Sequence, residues 1–207
     1  VPPSIPFMVP DASADWSFEG FLGQPFYCPG SDWPNNCWFN SPQDVAIDNS
    51  GNIYVVSFFQ QKVYKHNSAG NLVLEFSVPD RPREVDVDGS GNIYVSLGNP
   101  ASSIAKYDSS GNLITQSSAF SGEIVDFAVD NAGDIYVVYG SNELRKFESS
   151  PCCGANSGHN LLFNINYSGD ALTVVEVDQS GNVHLGLGPT LKTVDSSGNE
   201  LTPAGGI

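Results

Sequence analysis

The sequence predicts an all-β fold made of four similar units, each about 40 residues long. One phrase recurs in every unit, an Asp- and Gly-containing turn followed by Ile-Tyr-Val or a close variant. Its four copies are Asp48–Val55, Asp88–Val95, Asp130–Val137 and Asp178–Leu185. The glycines of these turns stand at positions 51, 91, 133 and 181, so consecutive copies are 40, 42 and 48 residues apart. Such a period is typical of repeat architectures, in which each unit buries its apolar faces only against its neighbours.

Each unit divides into four predicted strands, because apolar and polar side chains alternate with a period of two between the turns. In the first unit the strands are predicted at Asp44–Asp48, Ile53–Ser57, Lys62–His66 and Leu72–Phe76. The turns are rich in Asn, Asp, Ser and Gly, which tolerate the positive φ angles of tight hairpins, and no segment predicts a helix. Four-stranded units of this length are typical of β-propeller blades, so the sequence predicts a propeller of four-stranded antiparallel blades.

The predicted repeat boundaries fall at residues 41–80, 81–121, 122–168 and 169–207. The third repeat carries an insertion, Ser149–Asn160, where the other repeats have a five-residue turn. Insertions in repeat proteins often decorate a working face. The alternative is a surface loop that a disulfide ties down and that binds nothing.

Part of the first repeat resembles a known family. Ser41–Val55, followed by Lys62–Lys65 and Ser68–Leu72, is similar to an NHL-type propeller repeat, and the likeness extends over about residues 41–201. The resemblance implies a β-propeller fold. It also raises an enzymatic alternative, since amidating lyases and gluconolactonase-like hydrolases with similar propellers gather histidines or carboxylates around a metal in the channel.

The two ends of the chain do not match a complete set of blades. Trp16–Gly23 resembles the outer strand that ends an NHL blade, whereas only Glu200–Ile207 follow the last turn. In one geometry the N-terminal strand completes the fourth blade and closes a compact ring. In the other, the blades form an incomplete arc whose unlike terminal faces are covered by another subunit.

Residues 1–14 form a predicted proline-rich arm, and residues 15–40 supply the outer strand and a cysteine-containing loop. Four prolines in the first ten residues favour an extended backbone. The apolar side chains of the arm are unusual for a solvated linker. They are Ile5, Phe7, Met8 and Val9. We expect the arm to dock either on its own propeller or on a neighbouring copy, where it would support assembly.

The chain is strongly acidic, with 23 Asp and Glu against 8 Lys and Arg and a formal net charge of −15 at pH 7. Nucleic acids and anionic membranes are bound through clustered cations, which argues against both as partners. No apolar run approaches the length of roughly 18 residues that spans a bilayer, so no membrane insertion is expected. A glycan or protein ligand is more compatible with this composition.

Cysteine usage indicates a secreted, extracellular protein, because four cysteines in one domain fit an oxidising compartment. Of the three possible pairings, Cys28–Cys37 with a vicinal Cys152–Cys153 bond is favoured. A zinc site is the alternative, although neither pair has the spacing of a zinc knuckle. Asn166 begins an Asn-Tyr-Ser sequon and is a predicted glycosylation site, which also fits secretion.

Carboxylates recur on the first strand of the repeats. Asp44, Glu84 and Asp126 share one repeat position, and Asp86 and Glu176 share the position two residues further along. Because innermost strands line a propeller axis, these side chains could form a partial ring that binds Ca²⁺ through oxygen ligands. The alternative is that each carboxylate accepts main-chain amides from the next blade.

No catalytic residue is predicted, since the three histidines, His66, His159 and His184, are dispersed. We expect a non-enzymatic, secreted β-propeller that serves as a structural, self-assembling protein, with filaments as one form of the assembly. One alternative is a protein- or glycan-binding module. Another is a metal-dependent hydrolase or lyase that uses the channel.

Overall fold

The computed structural model describes residues 7–10, 16–20, 41–98, 101–117, 122–140, 142–148, 161–167, 169 and 171–201. These residues contain β-strands and turns without a helix. Four antiparallel sheets follow one another along the chain as blades I to IV, and their first strands surround a common axis. The fold is a four-bladed β-propeller, which confirms the predicted fold class.

Blades I to III have four strands each, hydrogen-bonded in chain order. Blade I comprises β3 (Pro42–Ile47), β4 (Ile53–Ser57), β5 (Lys62–His66) and β6 (Leu72–Ser77). Blade II comprises β7 (Pro82–Val87), β8 (Ile93–Gly98), β9 (Ala101–Tyr107) and β10 (Leu113–Gln116). Blade III comprises β11 (Ile124–Val129), β12 (Ile135–Tyr139), β13 (Glu143–Phe147) and β14 (Leu161–Asn166).

As far as Leu201, the last residue that the structure describes, blade IV has three strands and the start of a fourth. The strands are β15 (Leu172–Val177), β16 (Val183–Leu187) and β17 (Thr190–Val194). Beyond the last turn, Glu200 forms a bridge with Val194, and the Leu201 N–H donates to the Thr193 carbonyl at 2.8 Å.

The N-terminal strands form a separate sheet. β1 (Phe7–Pro10) pairs antiparallel with β2 (Trp16–Gly20), and Met8 lies opposite Phe18. In one of the two geometries predicted from the sequence, β2 is the outer strand of blade IV. Among the described residues it pairs with β1 instead, because a hairpin partner nearby in sequence is available to it.

The repeated phrase is explained by its turn. The Asp48 Oδ1 atom accepts the N–H groups of Ser50 and Asn52, both at 2.9 Å, and Gly51 has a φ of +76°. Only glycine adopts that φ without strain, and an Asp at the start of the turn satisfies two main-chain donors. The same bonds recur in the other three copies, at Asp88, Asp130 and Asp178.

The core lies between the blades. At the junction of blades I and II, Val56 and Val63 share an apolar cluster with Val85 and Val95. The junctions of blades II with III and III with IV are built from equivalent positions. Each blade therefore has a leading face toward the preceding blade and a trailing face toward the next, and apolar side chains from the two faces meet at each of the three junctions.

Candidate functional site

The first strands of all four blades, β3, β7, β11 and β15, line a cavity of about 300 Å³ on the axis. Asp44, Asp86, Asp126 and Glu176 bring their carboxylates to this cavity. At one end of these strands the Asn49 side-chain amide approaches the Asn131 side-chain oxygen at 3.5 Å, which brings blades I and III together. The structure thus gathers four of the five predicted carboxylates around one space, whereas Glu84 is not among the lining residues and accepts a hydrogen bond from Ser96 Oγ of its own blade at 3.4 Å.

Three of these carboxylates bind the next blade. The Oδ2 atom of Asp44 accepts the Val85 N–H at 2.9 Å, and that of Asp86 accepts the Val129 N–H at 2.6 Å. The Oδ2 atom of Asp126 accepts the Val175 N–H at 2.7 Å. We call each such bond a clasp. The interpretation of the carboxylates as acceptors of main-chain amides from the next blade is therefore confirmed for Asp44, Asp86 and Asp126, but not for Glu84 or Glu176.

The metal site stays a prediction. Within the described ranges, no group of three His, Cys, Asp or Glu side chains is arranged to hold a metal ion. Each clasp uses one carboxylate oxygen on a main-chain donor. Asp86 and Asp126 also accept the N–H of their own following residue with the other oxygen, at 2.7 and 3.0 Å.

Burial and crowding raise the pKa values of these acids. Desolvation raises the pKa of Glu84 to about 8, and the charges of Asp126 and Asp44 contribute to that rise. Desolvation likewise raises the pKa of Asp86 to about 7 and that of Asp126 to about 6, although the clasps act in the opposite direction. Burial therefore favours the protonated forms of Glu84, Asp86 and Asp126 to a higher pH than is usual for carboxyl groups.

A second constellation was missed by sequence reasoning. In blade I the Tyr54 hydroxyl donates to Asp48 Oδ2 at 3.0 Å, and Lys65 Nζ lies 3.8 Å from the same oxygen. The Lys65 ammonium also stands 4.9 Å from the centre of the Tyr54 ring. Blades II and III repeat this cluster with Asp88, Tyr94 and Lys106, and with Asp130, Tyr136 and Lys146. The available signal was a Lys at one position of three third strands.

Blade IV replaces two members of that cluster. His184 stands in place of the Tyr and Thr193 in place of the Lys. The His184 Nε2 atom lies 3.4 Å from Asp178 Oδ2, and its Nδ1 atom lies 3.1 Å from Thr193 Oγ1. His184 thus occupies the tyrosine position of the repeated phrase. The His184 side chain is nevertheless 36% exposed, whereas the three tyrosines are fully buried.

The trailing face of blade IV is open to solvent. Leu191 is 73% exposed, whereas its equivalents in blades I to III have no exposed surface. Those equivalents are Val63, Ile104 and Leu144. Val174 and Glu176 on β15 are exposed on the same face. Blade IV thus has a large apolar side chain at a position that, in blades I to III, the following blade covers.

The leading face of blade I is exposed to solvent along its innermost strand, β3. Val45 is 56% and Ile47 is 65% exposed. The residues equivalent to Val45, which are Val85, Phe127 and Val175, are 1–5% exposed because the preceding blade covers them. Val55 and Tyr64, further out on the same leading face, are already buried. The open part of this face is therefore its innermost strand.

The other predicted sites are less informative. Cys28, Cys37, Cys152, Cys153 and Ile5 lie outside the described residues, so the disulfide predictions stay predictions. Phe7, Met8 and Val9 lie on β1. Asn166 is exposed at the end of β14, as a glycosylation site requires. No helix in the described part of the chain is long and apolar enough to cross a membrane.

Comparisons with known proteins identify the fold and nothing finer. No protein family and no curated protein matches the chain. Among solved structures, a streptogramin B lyase is similar with a TM-score of 0.62 at 12% identity, over 80% of this chain and 55% of the lyase. A protein of unknown function from Bacteroides caccae gives 0.57 at 18% identity, over 77% of this chain and 65% of that one.

A third similar structure is the β-propeller domain of Cps50 (Swd1) from Myceliophteria thermophila, with a TM-score of 0.56 at 7% identity. The similarity covers 73% of this chain and 50% of that one. This chain thus spans between half and two thirds of the length of these three proteins. These likenesses support the propeller fold. They do not distinguish NHL-type repeats from other propeller repeats.

Proposed function

We propose that this chain is a non-enzymatic structural propeller that associates with itself head to tail. In this arrangement the trailing face of blade IV packs on the innermost strand of blade I in the next copy. The observation that carries the proposal is the exposure of Leu191 and Val45, since the equivalent positions of the other blades are buried within the chain. Exposed apolar surface of this kind marks interaction sites.

The junctions within the chain indicate how such a contact would be stabilised. At the third junction, Leu144 shares an apolar cluster with Val175 and Leu185 of the following blade. Leu191 presents an equivalent side chain to the next copy. Burying one such side chain contributes about 1.5–3 kcal/mol, so several of them would supply much of the free energy that offsets the entropy lost on association.

Unlike faces join head to tail, and this decides the shape of the assembly. A head-to-tail contact yields a ring if the rotation between copies closes, and a filament if it does not. The proline-rich arm with Ile5, Phe7, Met8 and Val9 is proposed to strengthen the contact, because its extended backbone is partly pre-set and loses little entropy on docking. Secretion, glycosylation at Asn166 and disulfide bonding belong to the same proposal.

The enzymatic alternative uses the axial cavity. One similar solved structure is described as a streptogramin B lyase, and the cavity gathers several acids whose pKa values are raised. A metal-dependent hydrolase or lyase would need Ca²⁺ or another divalent ion on Asp44, Glu84 and Asp126. Self-association is favoured because Asp44 and Asp126 already use oxygens to bind the next blade. Calorimetric titration with Ca²⁺ tests the alternative, on the intact protein and on the variant that combines Asp44→Asn, Glu84→Gln and Asp126→Asn.

Sedimentation velocity over a range of protein concentrations tests the proposed function. We expect the intact chain to sediment as larger species as its concentration rises. Leu191→Asp should shift this association to at least tenfold higher concentration, because a charge then enters an apolar contact. Ile114→Asp is the matched control, since Ile114 is 53% exposed on the outer strand of blade II. A chain that stays monomeric at every concentration would refute the proposal.

A further inference from the structure

We infer that Glu176 is a fourth clasp, and that it accepts the main-chain N–H of Ile47 in a second copy of this chain. The inference rests on the proposed self-association and deepens it, because it fixes which residues meet and in which register. It follows from the pattern of the three clasps within the chain.

The internal clasps obey one positional rule. Asp44 and Asp126 stand four residues before the turn aspartate of their blade, and each accepts from the residue three before the next turn aspartate. Asp86 stands two residues before its turn aspartate, and it accepts from Val129, one before the next. In both cases the donor is one repeat position further along than the acceptor.

Blade IV fits this rule with a single candidate. At the first clasp position it has Val174, which carries no acceptor, and at the second it has Glu176. Glu176 therefore corresponds to Asp86, and its donor should stand one residue before a turn aspartate. In a second copy that residue is Ile47, which precedes Asp48 of blade I.

Both partners are accessible for this bond. Glu176 is exposed on the trailing face, and within the described ranges no main-chain N–H of another blade donates to it. Ile47 is 65% exposed, whereas Val129, the donor to Asp86, is covered by the preceding blade.

Conservative variants of Glu176 test the clasp by sedimentation velocity. A hydrogen bond to a charged acceptor typically contributes enough to change an equilibrium constant about tenfold. We expect Glu176→Gln to weaken association by about that factor, and Glu176→Asp to keep it near the wild-type level, since Asp86 serves the same purpose. Glu123→Gln is the charge-matched control, because Glu123 is an exposed glutamate away from the trailing face of blade IV.

Amide hydrogen exchange of the intact chain tests the donor directly. Exchange at the Ile47 N–H should slow at least tenfold as the concentration rises through the association range, and should slow less in Glu176→Gln. The Ile114 N–H should be unaffected in both proteins. Unchanged exchange at Ile47 in an associating protein would overturn the inferred register.

Failure of this inference is distinguishable from failure of the proposed function. If the intact chain never associates, both are refuted. If it associates and Leu191→Asp prevents this, while Glu176→Gln behaves like Glu123→Gln, the clasp alone is overturned and self-association stands.

Discussion

The junction between blades III and IV and the trailing face of blade IV are built from the same repeat positions, yet their surroundings differ. Leu144 is fully buried at the junction, whereas its equivalent Leu191 is 73% exposed. Tyr136 and Lys146 at the junction become His184 and Thr193 on the open face. The repeat thus specifies the strands of a blade, but the following blade decides whether its apolar and charged groups are buried.

The largest expected difference between the two regions concerns the equivalent leucines. Leu144→Ala removes a fully buried side chain and should lower the free energy of unfolding by about 2–5 kcal/mol. Leu191→Ala should change it by less than about 0.5 kcal/mol in the monomer, because Leu191 is already solvated. Urea unfolding at low protein concentration measures both, and equal losses would contradict the assignment of Leu191 to an open face.

The ionic cluster of blade III should show the next largest effect. Lys146 Nζ lies 3.0 Å from Asp134 and 3.7 Å from Asp130, and it also reaches the Ser196 carbonyl of blade IV at 3.2 Å. Lys146→Met leaves these acceptors without a cation and should cost about 2 kcal/mol of unfolding free energy. His184→Ala, at the equivalent position of blade IV, should lower the free energy of unfolding by less than half that amount. Urea unfolding of the two variants at pH 7 checks this ratio.

Stability should depend on pH in a direction opposite to that of most acidic proteins. The pKa of Glu84 is about 8 and that of Asp86 about 7 in the folded chain, above their usual values. The folded state therefore binds more protons between about pH 4 and 8, and stability falls as the pH rises through that range. At the turns the sign is reversed, since hydrogen bonds lower the pKa of Asp178 to about 2, so its contribution is lost as the pH falls below about 4.

Thermal unfolding between about pH 4 and 9 measures this dependence. The midpoint should be highest near about pH 4, and Glu84→Gln should flatten the decline toward pH 8 because it removes one acid with a raised pKa. A midpoint that rises steadily from pH 5 to pH 8 would contradict the burial of these acids at the axis.

The smallest expected effect comes from restoring the missing cluster in blade IV. His184→Tyr combined with Thr193→Lys recreates the Asp, Tyr and Lys arrangement beside Asp178. In the monomer the gain should be only about 0.5 kcal/mol, because exposed ion pairs and cation–π contacts contribute little. A gain above about 2 kcal/mol in urea unfolding would indicate that this face is covered within one chain.

Much of the fold was predictable because its signals are local. The turn at Asp48 and the run of β-branched and aromatic residues from Ile53 to Val56 are each specified by neighbouring residues. The cluster of Asp48, Tyr54 and Lys65 was not predicted, because it requires the cross-strand register that places Tyr54 opposite Lys65. The clasps were foreseen only as an alternative, since stacking between blades determines their donors. The exposure of Leu191 depends on whether another blade covers blade IV, which no pattern within the repeat specifies.

The most direct measurement of head-to-tail association is a mixing experiment with two variants, each damaged on one face. Leu191→Asp spoils the trailing face of blade IV, and Ile47→Asp spoils the innermost strand of blade I. Each variant alone should sediment as a monomer. An equimolar mixture should form dimers and nothing larger, because one intact junction remains between unlike copies. A mixture that stays monomeric while the wild type associates, or single variants that assemble like the wild type, would contradict the account.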